Sequence, residues 1–268
     1  MEHQVQIRCK NNKKTMKVAI GSTLSEVFSA FQLTMAFGPI CAKVNNKVEG
    51  MHFRVYHNKD VEFLDMHSAS ASRNYTRTLF FVLCKAVHDC YPKSYVVIDI
   101  PVSNGYFVNV DLGRPLEAAD ITRIRERMQA IIDARMPVRR FEVTTEAAVE
   151  MFRTRGDEAK AKLLESSGKL YTTYYQIDDY VDFYYGSLLT NTSQLYLFGL
   201  EPYFDGLLLR IPSLDNPAQL PEITQQNKMF ELFKEHHAWQ KILGIRTVGD
   251  FNEAVEQGHA IDLIHVSE

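Results

Sequence analysis

Residues 75–112, YTRTLFFVLCKAVHDCYPKSYVVIDIPVSNGYFVNVDL, decide how the chain is read. At about 100° per residue, Leu79, Val82, Leu83, Ala86, Val87 and Cys90 share one face of a helix over 75–91. Arg77, Phe81, Cys84 and His88 share the opposite face, so this helix must serve two surfaces. Two strand-like runs follow at 96–100 and 106–110. Downstream, Ile121, Ile124, Met128, Ile131 and Ile132 make an apolar stripe on a helix over 116–135. A strand at 139–143, short helices at 144–155 and 158–165, and strand-like runs at 169–177, 180–185 and 207–211 complete the pattern. Helices and strands therefore both build this segment.

Upstream of the quoted stretch, residues 3–9 (HQVQIRC) alternate polar with apolar, KNNKK at 10–14 gives a polar turn, and 15–20 alternates again, which predicts a hairpin. Thr23-Leu24-Ser25-Glu26 has the form of a capping box and opens a helix on Leu24, Val27, Phe28 and Phe31. Short strands are expected around 41–44, 53–55 and 61–64. This front segment reads as a compact unit of the β-grasp type. Its stretch AKVNNKVEGMHFRVYHNKDVEFLD (42–65) resembles the TGS domain, the ubiquitin-like module at the front of threonyl-tRNA synthetases. That resemblance implies a binding or regulatory appendage without chemistry of its own. HSASASR (67–73) reads as a polar linker.

The second segment carries a more specific resemblance. LCKAVHDCYP (83–92), IPVSNGYFVNVDL (100–112), RIRERMQAII, RRFEV, EAAVEMFRTRGDEAKAKLL and YVDFYYG (180–186) occur in the order found in the second additional domain, the editing domain, of threonyl- and alanyl-tRNA synthetases. The resemblance covers about residues 74–212 and implies an α+β sandwich. In that family two histidines on the long helix and a Cys-x-Gly-Pro-His run form a metal-compatible hydrolytic site. Alignment from Tyr91-Pro92 sets Arg77 and Phe81 at the histidines, and alignment from Tyr180 sets Tyr184 at the cysteine, Gly186 at the glycine and Leu188 at the last histidine.

Those replacements remove the chemistry. Zinc needs nitrogen, sulfur or carboxylate ligands, and water activation needs a base that titrates near neutrality. Arg77 is permanently cationic, Phe81 and Leu188 have no heteroatom, and a tyrosine phenol titrates near pH 10. No catalytic residue and no metal ligand set is therefore expected. Cys84 and His88, four apart, keep the spacing of a metal-binding pair but have no second pair opposite. The adjacent His236 and His237 diverge on a helix over 224–243 and cannot chelate one ion together. What remains is a candidate ligand cleft of Arg77, Phe81, Tyr184 and Tyr185, in which a cation beside aromatic faces would suit a phosphate joined to a base.

Composition limits the alternatives. The 268 residues are 46% hydrophobic and 24% charged, enough for more than one core. Residues 1–66 hold nine Lys and Arg against six Asp and Glu while the whole chain is at −3, so the remainder is acidic and tight binding of nucleic acid along its length is disfavoured. Lys10, Lys13, Lys14 and Lys17 form either a basic edge for RNA or a solvated turn. The four cysteines lack any Cys-x-x-Cys pair and read as buried reduced thiols. No apolar run approaches the roughly 18 residues of a membrane helix and residues 1–17 are too polar for a signal peptide, so a cytoplasmic location without a membrane partner is expected. Phosphate-loop, dinucleotide, nucleophile-elbow and His-Glu-x-x-His motifs are absent from the sequence.

Residues 213–268 extend beyond the synthetase resemblance, with a Pro-bounded loop, a helix through Phe230, Phe233 and Trp239, and a further helix announced by Thr247 to Asp250. Together with WQKILGIRTVGDFNEAVEQG and IDLIHVSE, the arrangement resembles the amino-terminal region of a bacterial nucleoside kinase of the uridine kinase family. The resemblance implies three segments: a TGS-like β-grasp domain (1–66), a degenerate editing-like domain (74–212) and a helical extension (213–268) leading to a P-loop kinase domain outside this chain. It also implies a transferase whose ATP and magnesium are bound elsewhere, with this chain as a non-catalytic regulatory or ligand-recruiting part for a nucleoside or nucleotide. An RNA- or tRNA-binding module and a tRNA-editing hydrolase are the alternatives.

Overall fold

A computed structural model describes residues 3–228, 230–232, 235, 248–256 and 258. Strands β1 (Gln4–Cys9) and β2 (Thr15–Ala19) form the expected hairpin, in register from Gln4 opposite Ala19 to Arg8 opposite Thr15. Helix α1 (Leu24–Ala30) begins at the expected cap, with Thr23 and Glu26 each accepting from the other's backbone N–H. Strands β3 (Cys41–Val44), β4 (Lys47–Gly50) and β5 (Lys59–Leu64) complete a sheet in the order β2-β1-β5-β3-β4, with β1 and β5 parallel. The strand expected around 53–55 is not formed. Asn45 and Asn46 instead both adopt positive φ (48° and 69°), a tight hairpin turn that pairs β4 directly with β3.

The long helix α2 spans Ala69–Cys90, so the stretch expected as a linker is largely its first turn and a half. Ser68 is extended at the N-cap, and the Ala-Ser composition that reads as a linker is equally compatible with helix once tertiary packing favours it. Strands β6 (Tyr95–Val102) and β7 (Gly105–Asp111) pair antiparallel, then α3 (Ala118–Asp133) buries the expected isoleucine and methionine stripe. β8 (Arg139–Thr144), α4 (Thr145–Thr154), α5 (Glu158–Glu165), β9 (Tyr171–Ile177) and β10 (Tyr180–Phe183) follow close to their expected positions. β11 (Gly199–Tyr203), which the sequence reading missed, pairs with β12 (Gly206–Arg210) to give a sheet in the order β11-β12-β7-β6. The third sheet has the order β10-β9-β8. The expected helix over 224–243 lies mostly outside the described residues, as do His236, His237, Trp239 and the final IDLIHVSE; α6 (Val248–Glu256) is formed.

Contacts group the chain into two compact units, 1–139 with 175–224 and 140–174 with 225–268. The first unit contains two apolar clusters. One joins the alternating Val5, Ile7 and Cys9 of β1 to Leu24, Val27, Val44, Val61 and Phe63. The other gathers Leu79, Val82, Leu83, Ala86 and Val87 of α2 with the α3 stripe and with Val108, Leu207 and Leu209, and it also includes Ile40, Cys41, Leu64 and Met66 from the front segment. Front and rear of this unit are further tied by His52 Nε2 against the Val138 carbonyl (2.8 Å) and by Gln194 donating to the Pro39 carbonyl (3.1 Å).

In the second unit, Ala148, Val149, Phe152, Ala161 and Leu164 are buried between α4 and α5. Thr144 caps α4 from its side chain, the buried Thr145 and Thr172 hydroxyls meet at 2.9 Å, and Asn252 of α6 donates to Ser166. Among the described residues no helix is long and apolar enough to cross a membrane.

Candidate functional site

The chemistry-bearing face of α2 meets the segment that leaves β10. Two hydrogen bonds hold that segment: Thr78 Oγ1 accepts from the Leu189 backbone N–H (2.9 Å), and the Tyr175 hydroxyl donates to the Gly186 carbonyl (3.1 Å). Thr78 itself donates to the Asn74 carbonyl one turn earlier. This anchoring sets Tyr184, Gly186 and Leu188 against the helix.

Phe81 is fully buried and does not line an open cleft. Its ring meets Tyr184 edge-on at 5.7 Å between centroids and Tyr180 at 5.6 Å. Leu188 is equally buried in the α2 cluster. Burial, then Asp182 and Cys84 nearby, push the Tyr184 phenol well above its ordinary range, so it stays protonated and cannot act as a base at neutral pH.

Arg77 is half-buried and donates to Asn74 Oδ1 at 3.0 Å. Its guanidinium lies on the backbone of Gly186, where a Cβ would stand 2.8 Å from Arg77 Cζ. Gly186 has φ +131°, a conformation open essentially to glycine alone. Burial and the neighbouring Arg73 both act to lower the Arg77 pKa. Tyr185 is 56% exposed and packs its edge on Phe183. The four residues expected to form one cleft are therefore distributed differently: Phe81 with Tyr184 in a packed aromatic pair, Arg77 on Gly186, and Tyr185 at the surface.

Cys84 and His88 are also separated by environment. Cys84 is half-buried beside Tyr184, whereas His88 is exposed with its ring 5.4 Å from Tyr180. Of the four thiols expected to be buried, Cys9 and Cys41 are, and burial pushes Cys41 up to about 12; Cys84 and Cys90 are half-buried. Among the described residues no group of three or more His, Cys, Asp or Glu side chains is placed to hold a metal ion. Arg77, Phe81, Tyr184 and Leu188 do not fit one in any case, because their donor atoms are cationic, protonated or missing.

The sequence reading missed Lys85. It is 1% exposed, with Nζ 3.2 Å from both Asp89 and Asp179, and Arg127 pairs with the other oxygen of Asp89. The four-residue spacing to Asp89 was visible, but Asp179 in the β9–β10 turn lies 94 positions away.

No family model matches the chain. It is similar to the threonine–tRNA ligase of Desulforamulus reducens, at 26% identity over 178 residues, 66% of this chain and 28% of the relative. That of Clostridium perfringens is 26% identical over 168 residues, 62% of this chain and 26% of the relative. That of Acetivibrio thermocellus is 24% identical over 181 residues, 67% and 28% respectively. The chain thus spans about a quarter of the length of these relatives, and about two-thirds of it is threonyl-tRNA synthetase-like.

Proposed function

We propose that this chain is a non-hydrolytic derivative of the synthetase amino-terminal region, working as a ligand-recruiting or regulatory part of a nucleoside kinase of the uridine kinase type. The observation that carries the non-hydrolytic reading is the packing of Phe81 on Tyr184, with Leu188 beside them in the core, at the positions where the editing family needs its hydrolytic side chains. Filling a catalytic cleft with close-packed aromatic and aliphatic groups removes both the base and the room for an ester.

The sheet order β2-β1-β5-β3-β4 with α1 across it supports the β-grasp, TGS-like reading of residues 1–66. The helices and sheets built from 74–212 support an editing-like reading of that segment. The kinase reading, with 213–268 as an extension toward a kinase domain, rests on the resemblance carried by the TGS-like segment, the editing-like segment and the stretch from Trp239 onward taken together. ATP and magnesium would be held by residues outside this chain, since phosphoryl transfer needs a phosphate cradle that these residues do not contain.

The test is a phosphorylation assay on the full-length natural protein with uridine, cytidine and ATP-magnesium, with and without residues 1–268. Uridine phosphorylation whose substrate dependence changes on deletion is expected; a full-length protein that phosphorylates no nucleoside would refute the kinase reading. A second reading, binding of RNA, is favoured by one observation: Lys10, Lys13, Lys14 and Lys17 are all exposed around the β1–β2 turn. It predicts binding whose logarithm falls linearly with the logarithm of salt concentration.

A further inference from the structure

We infer that Arg73, Asn74 and Arg77, on consecutive turns of α2, form a binding site for the phosphate group of a small phosphate monoester. The inference deepens the ligand-recruiting reading and rests on it.

Three observations converge. First, Arg77 is half-buried yet pairs with no carboxylate among the described residues, whereas Arg114, Arg127 and Arg210 pair with Asp120, Asp89 and Glu201 at 2.7 Å. A partly desolvated guanidinium without a counter-charge is costly, and an anionic ligand would offset that cost. Second, Arg73 stands four residues earlier, which sets two like charges side by side on the helix, an arrangement unfavourable by itself and suited to a dianion. Arg73 is exposed and, among the described residues, its side chain donates only to the Ser70 hydroxyl.

Third, Asn74 is 3% exposed and, among the described residues, its Nδ2 is the one buried side-chain polar atom without a hydrogen-bond partner. Its amide orientation is fixed, because Oδ1 accepts from Arg77 Nη1 and reversing the amide would set donor against donor. The unused donor therefore lies one amide width from the atom that Arg77 holds. An unpaired buried N–H of this kind calls for an acceptor, and a phosphate oxygen supplies one.

Geometry keeps the guanidinium in place for this role. It rests on Gly186, whose missing side chain leaves the space that Arg77 occupies. The half-buried rings of Phe80 and Tyr106, edge-to-face at 4.8 Å, lie on the same side of α2 as Arg77, and the Tyr106 phenol is close enough to act on its charge.

The experiment is calorimetric titration of the 268-residue chain at low salt with uridine 5′-monophosphate, inorganic phosphate and uridine. The monophosphate is expected to bind and inorganic phosphate to compete with it. Arg77→Gln should weaken binding about tenfold or more and Arg73→Gln several-fold. Asn74→Asp should abolish binding while leaving the chain folded, because the new carboxylate neutralises Arg77 from within. Arg73 is exposed, so its variant remains informative even if Arg77→Gln unfolds. No binding of either phosphate probe, or binding that both Arg73→Gln and Asn74→Asp leave unchanged, would overturn the site. Uridine binding as tightly as its monophosphate would also overturn it, yet would leave the ligand-recruiting reading standing.

Discussion

The ring of Phe81 meets the ring of Tyr184 edge-on, 5.7 Å apart at an interplanar angle of 68°. The contact joins the middle of α2 to the segment after β10 and closes the space between them with apolar surface. Phe81→Ala should therefore cost about 3–4 kcal/mol in urea unfolding, the range for a fully buried phenylalanine. A loss below about 1 kcal/mol would mean that Phe81 faces an open cleft.

Gly186 tests the seat of Arg77. Gly186→Ala brings a methyl to 2.8 Å from Arg77 Cζ at φ +131°, and we expect a loss of about 2–3 kcal/mol. Gly168→Ala is the control: it has φ +64° with nothing within 4 Å, and should cost only about 1 kcal/mol. Equal losses in thermal or urea unfolding would show that Arg77 does not rest on Gly186.

Lys85 is a buried charge held by two carboxylates of unequal exposure. Asp89→Ala, which removes the more buried partner (17% exposed), should cost about 3 kcal/mol. Asp179 is 76% exposed, and Asp179→Ala should cost less than about 1 kcal/mol. The reverse order would mean that Lys85 relies on the turn rather than on its own helix.

Asp120 gives a pH dependence with a definite sign. Arg114 donates to both its oxygens at 2.7 Å, Tyr91 donates at 2.7 Å and the Glu117 backbone N–H at 2.9 Å, which together hold its carboxyl well below the usual range. A depressed folded-state pKa contributes stability above the unfolded value, near 3.9, and loses it as pH falls through the folded value. Asp120→Asn should be less stable than the parent at pH 7, and the gap should narrow steadily below about pH 4. A gap that is unchanged at pH 2.5 would contradict the assignment.

Local signals were the legible ones. Thr23 and Glu26 announced the cap of α1, the isoleucine spacing announced α3, and alternation announced β1 and β2, because each depends on neighbours within a few residues. Ser and Ala at 68–72 carried no such signal, since they suit a linker and a helix start equally, and only the packing of Ala71 and Tyr75 in the core decides between them. At the candidate site, the identities of Arg77, Phe81, Tyr184 and Leu188, none of them a metal ligand or a base at neutral pH, were readable from the sequence alone. The pairings Arg77 with Gly186 and Lys85 with Asp179 were not, because each joins residues about a hundred positions apart through tertiary folding. Grouping Arg77, Phe81, Tyr184 and Tyr185 in one cleft failed for the same reason: helix and strand periodicity assigns faces but not depth, and Phe81 lies deeper than its face suggests.

The central claim, that the synthetase-like site no longer hydrolyses, is tested most directly by incubating this chain with mischarged threonine tRNA and following release of the amino acid against a protein-free control. The account predicts release at the protein-free rate, unchanged by added zinc. Accelerated release that is lost in Tyr184→Phe or Cys84→Ala would contradict it.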